Sequence, residues 1–225
     1  MRSSGATVRS RDRRGRVFAG LAAACALVAL GAAGRYRPDF SAAEVGKVPA
    51  DMQVLSGAFK VAEAGRDKFL ELPGEPLDAF GLLFGPAGPP EVDVRARVWS
   101  ESSGRRFPEF GVGGGDVGGY RLLLLPAQHR LELRKGDEAV TSVEPPQRWQ
   151  SGAWAWVRLK ISKRTEGRWT IEGKTWPDGA AEPAQWPLAH DVTEAPPQGR
   201  ASVWGVPFSG RPIRFDDLTV EPADR

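Results

Sequence analysis

Glu91-Val92-Asp93-Val94 places two carboxylates two residues apart, on one face of any extended segment. Acids that flank one bond are the equipment for cleaving a glycosidic linkage by acid–base chemistry. Arg95 and Arg97 continue the same phase, so the pattern predicts a solvated strand face whose acids pair with these arginines. Glu109 in "PEFG" is a further acid without a recognisable partner, and Asp93 and Glu109 are the two candidate catalytic carboxylates, with no catalytic pair assigned. His129 and His190 stand far apart without cysteine companions, which excludes a zinc spacing. The chain has no Gly-x-Ser-x-Gly nucleophile motif. "GVGGGDVGG" lacks the Lys-Ser/Thr of a phosphate loop, and reads as a glycine-rich turn between two strands around Asp116. Asp216-Asp217 supplies two adjacent carboxylates, only part of the six or more oxygens that Ca²⁺ takes.

Aromatic residues suggest a second chemistry. Sugar rings present apolar C–H faces that stack on indole, while neighbouring polar groups bond their hydroxyls. Alternation along "EVDVRARVW" puts Asp93, Arg95, Arg97 and Trp99 on one face and Val92, Val94, Ala96 and Val98 on the other. "AWAWVRLKISKR" repeats the arrangement, with Trp154, Trp156, Arg158 and Lys160 against Ala155, Val157, Leu159 and Ile161. The aliphatic faces are expected to pack inward. Asp93, Arg95, Arg97, Trp99, Trp154, Trp156 and Arg158 are then the candidate ligand-binding residues, or else a second apolar layer.

These strands belong to a longer series. Short apolar runs alternate with Gly/Pro/Asp turns from Asp51 to the end, about ten strands at the spacing of an all-β sandwich. Ser56-Gly57 is expected to make a hairpin or bulge, and Lys135-Gly136-Asp137 the turn of a hairpin. Thr165-Glu166-Gly167 turns another strand back. In the last strand Ile213 and Phe215 share one phase and Leu218 and Val220 the other, which predicts a β-bulge at Asp216-Asp217.

The first 33 residues read differently. Met1–Arg16 holds six arginines, and Val17–Ala33 follows without a charge. That is the pattern of an export signal cut before Gly34, or of a tilted N-terminal anchor. Arg13-Arg14 lacks the apolar context of a twin-arginine signal, and Cys25 sits inside the apolar run. Residues 34–50 are expected as a linker, and 51–222 as the domain. Of 31 basic and 28 acidic residues, 6 and 1 lie in residues 1–33, leaving 25 and 27, net −2. The basic excess therefore belongs to the leader and argues against nucleic-acid binding. With no cysteine after Cys25, stability must come from the core.

"VDVRARVW", "WAWVRLKI", "KTWPDGAAEPAQW" and the closing "GRASVWGV…IRFDDLTV" together resemble the concanavalin A-like, laminin-G-like jelly rolls of exported bacterial proteins. Within that group the chain is similar to domains related to family 16 glycoside hydrolases and to 3-keto-disaccharide hydrolases. The resemblance implies an all-β, two-sheet antiparallel jelly-roll sandwich. Family 16 enzymes carry Glu-x-Asp-x-x-Glu on one strand, and Arg95 and Ala96 stand where the pattern should continue. The expected function is therefore an exported, non-catalytic carbohydrate-binding or interaction module of the bacterial envelope. It would sit in the periplasm, at the cell surface or outside the cell, with membrane contact only through residues 17–33 if they are retained. A glycan or an envelope protein is the expected partner. No cofactor is expected, and a structural Ca²⁺ at Asp216-Asp217 is the one metal the resemblance admits. The alternatives are a hydrolase of 3-keto-glycosides and a purely structural envelope domain. In Lys174–Trp186, Pro177-Asp178-Gly179 is expected to turn tightly and Trp186 to pack near Trp176, as a clasp that fastens the fold.

Overall fold

The structure is a computed structural model that describes residues 34–165 and 167–223. The hydrophobic helix expected in residues 1–33 lies outside the described residues. Fourteen strands follow one another: β1 (Gln53–Ser56), β2 (Lys60–Ala64), β3 (Asp67–Leu72), β4 (Phe80–Gly88), β5 (Val92–Trp99), β6 (Glu109–Gly114), β7 (Tyr120–Leu125), β8 (Arg130–Lys135), β9 (Glu138–Val143), β10 (Trp154–Thr165), β11 (Arg168–Pro177), β12 (Leu188–Val192), β13 (Gly199–Val206) and β14 (Ile213–Glu221). They form two seven-stranded sheets. The first runs β1-β4-β13-β6-β7-β8-β9 and the second β12-β11-β10-β5-β14-β3-β2. Neighbouring strands pair antiparallel throughout, from β1–β4 to the β8–β9 hairpin. The two sheets pack as an all-β sandwich, with no helix among the described residues long and apolar enough to cross a membrane.

Period-two patterning builds the core. Val94, Ala96 and Val98 of β5 and Val157, Leu159 and Ile161 of β10 are buried from the second sheet. They meet Phe110, Val112, Leu122, Leu124, Leu131 and Leu133 from the first. Each such Leu, Ile or Phe contributes about 1.5–3 kcal/mol on leaving water. Gly173 of β11 has Leu122 of the opposite sheet where its own Cβ would stand, at 2.5 Å. The missing side chain makes room for the leucine, which ties β7 to β11 across the sandwich.

The strand series is finer than the ten read from the pattern, chiefly because the chain changes sheets. The β1 register shifts between Val54 and Ser56, and Ser56-Gly57 then carries the chain from β1 in the first sheet to β2 in the second. Gly57 has φ +90, and a Cβ there would meet the Phe80 ring at 2.8 Å, so only glycine makes the crossing. The glycine-rich stretch is also shorter as a loop than expected. Gly111, Gly113 and Gly114 lie within β6, and the turn is confined to residues 115–119. The hairpin at Gly136-Asp137 and the bulge at Asp216-Asp217 form where the pattern placed them.

Residues 34–50, expected as a linker, pack on the sandwich. Tyr36 exchanges both backbone hydrogen bonds with Val220 at 2.8 and 2.9 Å, and Phe40 is buried in the core. The polar composition of this segment hid its two aromatic anchors.

Candidate functional site

Register assembles the seven candidate ligand-binding residues on the outward face of the second sheet. Trp154 opposes Trp99, Trp156 opposes Arg97, Arg158 opposes Arg95 and Lys160 opposes Asp93. On the flanks, Trp156 opposes Trp176 of β11, and Arg214 of β14 opposes Trp99. Aromatics and cations therefore alternate across strands, and the side chains interleave. The Arg214 guanidinium lies 4.3 Å from the Trp99 ring centre and 4.7 Å from that of Phe69. Arg97 sits 4.6 Å over Trp154, and Arg95 5.2 Å over Trp156. Trp156 stacks on Trp176 at 5.9 Å and 12°. Each cation–ring contact contributes about 0.5–2 kcal/mol, more as water is excluded. Indole N–H groups are engaged as well: Trp99 donates to Gly152 O and Trp156 to Asp178, each at 2.9 Å. The face is a ladder of interleaved cations and aromatic rings, not a bare row of tryptophans.

Asp93 departs from the solvated role expected of it. It is 5% exposed and accepts two bonds from Arg158, at 2.9 Å from Nε and 2.6 Å from Nη2. Neither Arg95 nor Arg97 takes this place, because the antiparallel pairing sets Arg158 diagonal to Asp93, within reach of a long side chain. The two-pronged bond to Asp93 is the first cause that raises the Arg158 pKa above its ordinary value, against the opposing pull of burial.

The segment after β11 closes over one side of the ladder. Gly179 takes φ +82, and Ala180 N donates to Pro177 O at 3.2 Å, which is the tight turn expected there. Glu182 then reaches back to accept from Arg158 and, at 2.7 Å, from Lys174. Burial raises the Glu182 pKa, but the bonds from Lys174 and Arg158 outweigh it and hold the group below its ordinary value. Trp186 covers the Lys174 ammonium at 4.1 Å, while the ring stacked on Trp176 is Trp156. The clasp thus forms through Lys174 and Glu182, which an aromatic count alone overlooks.

At the other side the ladder opens into a cleft of about 450 Å³ between the segment after Gly34, the β2–β3 turn and the β14 bulge. Arg37, Arg66, Lys68 and Arg97 line it together with Asp39, Asp67, Asp216 and Asp217. Arg97 joins ladder and cleft. Its Nη2 donates to Asp216 at 2.8 Å and its Nη1 to Asp178 at 3.2 Å. Its Nε lies 3.0 Å from Asp217 as an ion pair without hydrogen-bond alignment. Burial lowers the Arg97 pKa, and these three carboxylates more than offset it. Lys68 donates to the carbonyls of Ser41 and Ala43, at 3.1 and 2.8 Å.

The bulge aspartates do not fit a calcium ion. Asp216 Oδ1 accepts from the Asp217 amide at 2.8 Å and Oδ2 from Arg97. Asp217 Oδ1 accepts from Arg37 at 2.6 Å, and Oδ2 faces Arg97. All four oxygens already face donors. Among the described residues no group of three or more His, Cys, Asp or Glu side chains is placed to hold a metal.

The two candidate catalytic acids are separated by the sandwich. Asp93 faces outward from the second sheet, while Glu109 starts β6 in the first, where the adjacent Phe110 points into the core. They do not flank one bond. Glu109 instead neighbours Glu132, a buried carboxylate held by Arg130 at 2.9 Å and Arg134 at 2.7 Å. Burial raises the Glu109 pKa. On the same face Arg121 stacks 3.4 Å over Trp204. This cation–aromatic pair on the first sheet was not singled out from the sequence. "SVWGV" shows only that Trp204 falls opposite in phase to Val203, and nothing local links it to Arg121.

The sandwich has a concanavalin A-like jelly-roll fold. No family model and no curated protein sequence matches the chain. Among solved structures it is similar to the Emp46p carbohydrate recognition domain in its metal-free form, at 11% identity over 84% of this chain and 97% of that one, with a TM-score of 0.53. A sialidase matches at 12% identity over 86% of this chain, with a TM-score of 0.56, and the matched part is 19% of the sialidase's own length. The VIP36 exoplasmic/lumenal domain in its Ca²⁺-bound form matches at 10% identity over 78% of this chain and 84% of that one, with a TM-score of 0.50. At these identities the likeness is one of fold.

Proposed function

We propose that this protein is an exported, non-catalytic carbohydrate-binding module whose ligand enters the cleft beside Arg97. The cleft is the observation that carries the reading. Its volume of about 450 Å³ falls within the ~300–1,000 Å³ of small-ligand sites, room for a short saccharide. Its walls alternate donors and acceptors, as hydroxyl-rich ligands require. Trp99, Trp154 and Trp156 support it by packing Arg97 and its neighbours in place, since their ring faces are already covered by guanidinium groups. Solved neighbours that include a carbohydrate recognition domain agree with the reading at the level of fold. The separation of Asp93 from Glu109 supports a binding role over hydrolysis, and the uncharged run after six arginines supports export.

A glycan array with the purified protein tests the proposal. Binding to at least one class of saccharide is expected. Arg66 is exposed and makes no ion pair with another described residue. Arg66→Ser should therefore weaken that binding at least fivefold while leaving the melting temperature within ~1 °C. Silence across plant, bacterial and host glycans, or turnover of 3-keto-glycosides, would overturn it.

A further inference from the structure

We infer that the cleft selects uncharged sugars and holds them without a metal ion. The inference rests on the carbohydrate reading and narrows its ligand class.

Four basic and four acidic side chains line the cleft, so its formal charge is balanced. Several of these groups are paired with one another. Arg97 holds Asp216 and approaches Asp217, and Arg37 holds Asp217. An arginine has five N–H donors and a carboxylate about four lone-pair sites, so a paired group keeps capacity for a ligand. A neutral hydroxyl both donates and accepts. It can bridge from a spare arginine N–H to a spare carboxylate lone pair and leave the ion pair intact.

A charged ligand is in a different position. A uronate or sulfate must compete with Asp216 or Asp217 for Arg37 and Arg97, and then faces the displaced carboxylate, while Arg66, unpaired among the described residues, is offset in the lining by Asp67. Breaking a partly buried pair leaves one charge uncompensated, which costs more than the pair itself contributes. Calcium meets the same obstacle from the other side. A cation at these oxygens would stand against the Arg37 and Arg97 guanidinium groups that they already face, a like-charge contact that a neutral hydroxyl does not make. Sugar recognition here must therefore rely on hydrogen bonds from side chains and not on a bridging cation.

The test uses the full chain and calorimetric titration with neutral oligosaccharides and with matched uronic-acid and sulfated ones, each with added Ca²⁺ and with EDTA. Neutral ligands are expected to bind at least tenfold tighter than the acidic ones, and EDTA to change their affinity less than twofold. Asp67→Asn removes one exposed acid from the lining and should raise the acidic-to-neutral affinity ratio at least threefold. Tighter binding of acidic sugars, loss of binding in EDTA, or an unchanged ratio in Asp67→Asn would overturn the inference while sparing the carbohydrate reading. No binding to any saccharide overturns both.

Discussion

Replacing Asp93 by asparagine removes one charge from the middle of the second sheet without changing the size of the side chain. The carboxylate is 5% exposed and bonded twice by Arg158, whose side chain is 22% exposed. Removing one partner of a fully buried pair costs about 3–5 kcal/mol, because the other charge is left without compensation. Arg158 keeps Glu182 and some contact with water, so about 2–3 kcal/mol is the expected loss. At roughly 2–4 °C per kcal/mol for a domain of this size, the melting temperature should fall by about 4–12 °C. Thermal unfolding followed by circular dichroism measures it. The Asp93→Asn/Arg158→Met double variant should be less destabilised than the sum of the two singles, since no charge is stranded. A melting temperature within ~1 °C of wild type, or strict additivity in the double variant, would refute the reasoning. Loss of ligand affinity at unchanged stability would return Asp93 to the role of ligand contact.

Three further outcomes follow from the same contacts. Trp186→Ala uncovers the buried Lys174 ammonium and should cost ~1–2 kcal/mol, seen as a lower melting temperature with saccharide affinity changed less than twofold. Glu182 is held below its ordinary value of 4.5, so its contribution is complete above pH 4.5 and is lost as pH falls through the lowered folded value. Limited proteolysis should accordingly cut the 178–187 segment faster near pH 3 than at pH 6, and Glu182→Gln should flatten that difference. Glu109 is raised above its ordinary 4.5 by burial, so the fold loses stability as pH rises from that value to the folded one. Glu109→Gln should therefore melt higher than wild type at pH 7 and match it at pH 3.

Alternation along "VDVRARVW" and "WAWVRLKI" was enough to assign inward and outward faces, because successive strand side chains must point to opposite sides. The phase change between Phe215 and Leu218 likewise announced the bulge, since one extra residue is the only way a strand changes face without ending. These are local rules, and they determined the sandwich class and the set of residues on its outer face. Which residues touch was another matter. That Asp93 takes Arg158, that Lys174 lies beneath Trp186, and that Asp93 and Glu109 end on opposite sides depend on strand order. The polar stretch after Gly34 became a cleft wall only because Tyr36 pairs with Val220, far along the chain. Sequence spacing carries the period of a strand but not its neighbours. Tertiary structure alone decided which tryptophans meet cations and where the charged side chains leave room for a ligand.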